Sequence, residues 1–117
     1  MSQKDGQLAR VAILEEGGVI GAQAAQFTRQ VIDQVADRGY ADDALETFIT
    51  HLAMAGQRAL DGVEEEGYDS RILEELKAEE GYDRALGLRE SMLCGCGIPF
   101  SPAEQEFLLV HILNLIG

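Results

Sequence analysis

The chain has 117 residues, of which 46% are hydrophobic, and its 21 acidic and 9 basic side chains give a formal charge of −12. A negative surface repels nucleic-acid phosphates and anionic lipid, so no direct binding to nucleic acid or to a membrane is expected. The apolar runs are far shorter than the ~20 residues of a membrane-spanning helix, and the N-terminus lacks a signal-peptide core. These features predict one cytoplasmic domain.

The composition favours helices. Only two prolines occur, tryptophan is absent, and good helix formers are frequent, which predicts an all-α fold. Residues 1–19 are an N-terminal arm of uncertain structure: a polar tail precedes a short apolar run and Gly17-Gly18, a pattern that fits a strand, a helical turn or a mobile arm.

Five helices are predicted in the remaining part, residues 20–117. Apolar residues at helical spacing define each one, and glycines follow the first and the fourth. Asp43 and Glu46 have capping-box spacing at the start of the second. The expected helices cover about 22–38, 43–60, 71–78, 82–95 and 101–117.

The last helix has the clearest start. Ser101 is a typical N-cap, Pro102 fits the first helical position, and Glu104 stands where the carboxylate of a capping box reaches back to the cap. The ten residues 107–116 are almost all apolar, so this helix is expected to run through the middle of the fold.

Polar groups on that helix share one face. At about 100° per residue, Glu104, Phe107, His111 and Asn114 fall on one stripe. The stripe is either a buried polar seam with satisfied hydrogen bonds or a functional surface.

The chain has two histidines, His51 and His111, and each lies inside a predicted helix. His51 falls at the border of its helix's buried face, with Arg58 two turns further along the same side. A neutral imidazole there has a nucleophilic nitrogen that can accept a phosphoryl group, and Arg58 could hold the added charge. Alternatively, both histidines are hydrogen-bonded interior residues.

The two cysteines form a Cys94-Gly-Cys96 segment. With two histidines present, a metal site is one hypothesis, but the ligand spacing typical of zinc fingers is missing. Small packing residues at a helix end are the simpler interpretation, so no metal and no cofactor is expected.

Two segments resemble those that carry the histidines of the PTS regulation domain (PRD) family, a helical module of bacterial regulators controlled by the sugar phosphotransferase system. The sequence FITHLAMAGQR of residues 48–58 looks like the first-histidine segment. Residues 104–112 are similar to the second, where a glutamate seven residues before a His-Ile pair is characteristic. The resemblance covers about residues 20–117, in matching order and spacing.

The resemblance implies a stand-alone, five-helix bundle of antiparallel helix pairs that forms a homodimer. It implies a regulator and not an enzyme, which modulates transcription or a partner protein indirectly. HPr or a sugar-specific enzyme II component would phosphorylate His51 and His111. Arg58, Glu104 and Asn114 are the candidate phosphate partners or orienting residues.

Two alternatives remain open. Thr50 and Ala53 stand where family members often have Asp and Asn, which favours a non-phosphorylated adaptor or dimerisation module that keeps the fold. A small metal-dependent hydrolase that uses both histidines and acidic residues is the third hypothesis.

Overall fold

The computed structural model describes residues 2–63, 67 and 69–117, and the regular structure in these ranges is helical. The helices are α1 (Gln3–Glu16), α2 (Ala22–Val35), α3 (Asp42–Leu60), α4 (Ser70–Lys77), α5 (Tyr82–Leu93) and α6 (Pro102–Ile116). The all-α prediction is confirmed, but the described residues form six helices where five were predicted. No helix in these ranges is both long and apolar enough to cross a membrane.

The additional helix is α1, in the segment treated above as an arm of uncertain structure. The Ser2 hydroxyl caps it by accepting a hydrogen bond from the backbone N–H of Asp5. Its start is also tied to the end of α2, because Gln3 and Asp37 exchange two hydrogen bonds of 3.0 and 2.8 Å. Gln7 and Val11 are the buried residues of α1, so its apolar periodicity is weak, and the sequence pattern did not distinguish it from other structures.

α3 lies between three other helices. It packs against α1, α2 and α6, and eight of its residues are buried. Gly56 belongs to this contact, since a Cβ at its position would lie 3.5 Å from the Phe27 ring of α2. α6 was expected in the middle of the fold, but it packs against α3 and α5 and buries mainly one face, because several of its apolar residues are only half-buried.

The end of α2 and the start of α3 differ from the predicted pattern. α2 ends at Val35, before the predicted Arg38, because Ala36 is extended and Asp37 adopts a φ of 59°. Glu46 does not close a capping box on α3; its carboxylate pairs with Arg10 of α1 instead. Both deviations come from the docking of α1, which local pattern alone does not reveal.

The burial of α3 predicts a large difference between two apolar truncations. Leu52 is 1% exposed, whereas Ile13 on α1 is 68% exposed. Leu52→Ala should lower the free energy of unfolding by about 2–5 kcal/mol, since a cavity remains in the core. Ile13→Ala should change it by less than ~0.5 kcal/mol. Urea unfolding followed by circular dichroism measures both, and equal effects would contradict this packing.

Candidate functional site

The two histidines lie side by side. His51 projects from α3 and His111 from α6, and their Nδ1 atoms are 3.3 Å apart. The ring centroids are 4.4 Å apart, with the planes tilted by 50°. In neutral imidazoles, one Nδ1–H can donate to the other Nδ1. His51 is exposed and His111 half-buried, so the pair is reachable from solvent.

A second contact lies two helical turns away, along the seam where α3 and α6 meet. Arg58 donates from Nε to Oε1 of Glu104 at 3.0 Å and from a terminal nitrogen to Oε2 at 3.2 Å. The Glu104 side chain is 1% exposed and that of Arg58 is 30% exposed. A bidentate pair of this kind fixes both distance and orientation.

The two contacts are connected by spacing and by an aromatic ring. His51 and Arg58 are seven residues apart on α3, and Glu104 and His111 are seven apart on α6, so the helices run antiparallel along the seam. Phe107 lies between the two levels: its ring centroid is 5.7 Å from that of His111 and 5.9 Å from the Arg58 guanidinium carbon. We call these five residues the histidine cluster.

The surroundings favour a neutral His111. Burial, followed by the electrostatic effects of His51 and Arg58, lowers the pKa of His111 from 6.5 to about 4, while Glu104 acts in the opposite direction. At neutral pH the His111 ring therefore keeps a lone pair for a proton, a metal ion or an electrophile.

The Glu104 side chain does not form the capping box that the sequence pattern predicts. The hydroxyl of Ser101 caps α6 as expected, accepting from the Glu104 backbone N–H at 3.2 Å. The Glu104 carboxylate, however, accepts from Arg58 of another helix, where the capping box would have it bind the Ser101 backbone. The capping pattern in the sequence could not reveal this tertiary partner.

The sequence grouped Asn114 with the cluster, but it lies elsewhere. It is exposed and lines a recess of about 290 Å³ together with Glu79 and Glu80. The other residues that line this recess, which include Leu76, Val110 and Leu113, do not belong to the cluster. Phe107 was noted on the stripe without a role, and its spacing of four from His111 was the available signal.

The cysteines are separate from the cluster. Both thiols are free, Cys94 is exposed, and the Cys96 sulfur accepts a hydrogen bond from the Ile98 backbone at 3.4 Å. In the part of the chain that the structure describes, no three or more His, Cys, Asp or Glu side chains are grouped to hold a metal. A joint cysteine–histidine metal site is therefore not formed by these residues.

Comparisons with protein-family models, curated proteins and solved structures found no match. The histidine cluster combines a pair of accessible imidazoles, one of them held neutral, with a guanidinium that a buried carboxylate orients.

The buried carboxylate makes the Arg58–Glu104 pair sensitive to the loss of one partner. Arg58→Met should destabilise the protein by about 3–5 kcal/mol at pH 7, because Glu104 remains buried and uncompensated. The double variant Arg58→Met/Glu104→Met should regain most of this loss. Chemical denaturation of the four proteins of this cycle measures both effects; additive single effects would show that the two residues are not coupled.

The low pKa of His111 predicts that stability falls with acidification. Between pH 6.5 and about 4 the unfolded chain binds a proton at His111 that the folded chain does not, so folding free energy is lost as the pH falls through this window. After allowance for partial exposure, this contribution should be about 1–2 kcal/mol.

The matched control is His111→Gln, which keeps an uncharged polar side chain. For each protein the free energy of unfolding is measured at pH 7.5 and at pH 4.5. The decrease between these two pH values should be larger for the wild type than for His111→Gln. The same pH dependence in both would show that His111 titrates normally.

Proposed function

We propose that the protein is a phosphorylation-responsive regulator of the bacterial sugar phosphotransferase system. His51 and His111 are the phosphoryl acceptors, and HPr or a sugar-specific enzyme II component is the donor. The output is indirect, through a partner protein or transcription, and the regulator acts as a homodimer in the cytoplasm. In this proposal α2–α6 correspond to the five helices of a PRD-like module, and α1 is an addition.

The approach of the two imidazoles within 3.3 Å, at a level of the seam open to solvent, is the observation that carries the proposal. Two histidines on helices 60 residues apart in sequence meet on one face, next to an oriented arginine. A structural pair inside the core would be sealed, whereas His51 is exposed. The neutral state of His111 adds support, because phosphoryl acceptance needs an unprotonated nitrogen.

The chemical step is a phosphoryl transfer between imidazoles. A lone pair on the acceptor nitrogen attacks phosphorus, the phosphorus–nitrogen bond to the donor phosphohistidine breaks, and the donor imidazole leaves with that electron pair. The donor nitrogen regains a proton and the acceptor ring loses its N–H proton to solvent. The chain receives one phosphoryl group and does not turn over a substrate.

The added charge provides the regulatory effect. A phosphohistidine brings roughly −1.5 to −2 charges next to a guanidinium that already binds a buried carboxylate. The new anion attracts Arg58 and repels Glu104, so it weakens the contact that joins α3 to α6. If the pair lies near a two-fold axis, the anions of both subunits also repel each other, which favours a different packing.

A non-phosphorylated adaptor is the second candidate. Thr50 donates its hydroxyl to the Glu46 carbonyl, and Ala53 is fully buried, so neither supplies a polar group to His51. The exposed Ile13 and Val19 are apolar side chains that a partner could cover.

The test is incubation with phosphoenolpyruvate, enzyme I and HPr, with and without a sugar-specific enzyme II component, followed by detection of acid-labile phosphate. We expect label in the wild type, less in His51→Ala and in His111→Ala, and none in the double variant, which has no histidine left. Arg58→Lys is the matched variant that keeps a cation, and it should remain labelled.

Label in the double variant would show that a residue other than histidine carries the phosphate. No label in the wild type with any donor would reject the phosphorylation proposal and leave the adaptor. Analytical ultracentrifugation of labelled and unlabelled protein then tests whether phosphate changes the association state.

A further inference from the structure

The distance between the two imidazoles also suits a metal chelate. Two nitrogens bound to one tetrahedral Zn²⁺ at about 2.0–2.1 Å lie about 3.3 Å apart. The Nδ1 atoms of His51 and His111 are separated by the same distance. The ring centroids are 4.4 Å apart and the planes are tilted by 50°, so the two imidazoles are already close enough to share one ion.

We propose that His51 and His111 form a two-histidine chelate, through their Nδ1 atoms, for a divalent late first-row transition metal ion of the Zn²⁺ class. Imidazole nitrogen is a ligand that suits Zn²⁺, Ni²⁺ and Cu²⁺, while Mg²⁺ and Ca²⁺ prefer oxygen. Since no group of three or more metal-binding side chains occurs in the described residues, water completes the coordination. The site is therefore open and exchangeable, unlike a four-ligand structural zinc site.

Charge at the site allows a cation to approach. Arg58 is the nearby positive group, and its guanidinium is paired with the Glu104 carboxylate, which offsets part of its charge. The chain as a whole carries −12, so its field attracts cations. The exposed His51 gives access from solvent.

Metal binding requires one of the two imidazoles to change its tautomer. If both rings are neutral, neither has to lose a proton. The ring that donates Nδ1–H in the free protein must carry its hydrogen on Nε2, so that both Nδ1 lone pairs face the ion. The metal then replaces the direct contact between the imidazoles.

The experiment is calorimetric titration of untagged protein with zinc chloride, in a buffer that does not bind metals. We expect one ion per chain, saturable below about 1 mM, and at least a ten-fold weaker affinity after either His51→Asn or His111→Asn. Magnesium chloride should give no saturable binding. Cys94→Ser/Cys96→Ser is the matched control, and it should bind like the wild type.

A spectroscopic measurement on the wild type avoids any dependence on variant folding. With cupric ion added, electron paramagnetic resonance should show coupling to two equivalent imidazole nitrogens. The proposal would be overturned if zinc showed no saturable binding below ~1 mM, or if the cupric signal showed coupling to a single nitrogen. It would also be overturned if zinc still bound after both histidines were substituted together, or if binding were lost in the cysteine variant. No phosphoryl donor is present, so these results are independent of the proposed phosphorylation.

Discussion

The ion pair between Arg58 and Glu104 sets the alignment of α3 against α6. A fully buried carboxylate has to keep its partner, because the loss of the guanidinium would leave an uncompensated charge in the interior. Bidentate geometry allows little sliding of one helix past the other. Since the helices are antiparallel and both spacings are seven residues, this contact, together with the apolar packing of α3 on α6, places His111 opposite His51. The geometry of the imidazole pair therefore depends in part on a contact about two turns away.

Both proposals for the cluster use the same two imidazoles. A phosphoryl group on an Nδ1 atom and a metal ion that bridges both Nδ1 atoms cannot be present together, because each needs the lone pair of that nitrogen. If both proposals hold, metal occupancy competes with phosphate acceptance by mass action. The protein would then respond to metal supply as well as to the phosphorylation state of its donor.

Sequence reasoning succeeded where local pattern and tertiary structure agree. The C-terminal end of α3 and the start of α6 follow from apolar spacing and from the Ser101 cap, and the four polar members of the cluster stand out as histidine, arginine and glutamate on helical faces. The pairing of α3 with α6 could not be read from one helix alone. α1 was not predicted because its contacts with Asp37 and Glu46 are long-range and polar. Asn114 was misplaced because its position in a recess with Glu79 and Glu80 depends on tertiary packing that the helical stripe does not show.

α4 differs from the helices that form the seam, since none of its residues 70–77 is buried. Its half-buried Leu73 and Leu76 only border a cleft of about 220 Å³ next to α5 and α6. Helices with so little apolar burial open at a small fraction of the global free energy. We therefore expect α4 to open locally at a lower free-energy cost than the other described helices, while α3 and α6 stay aligned.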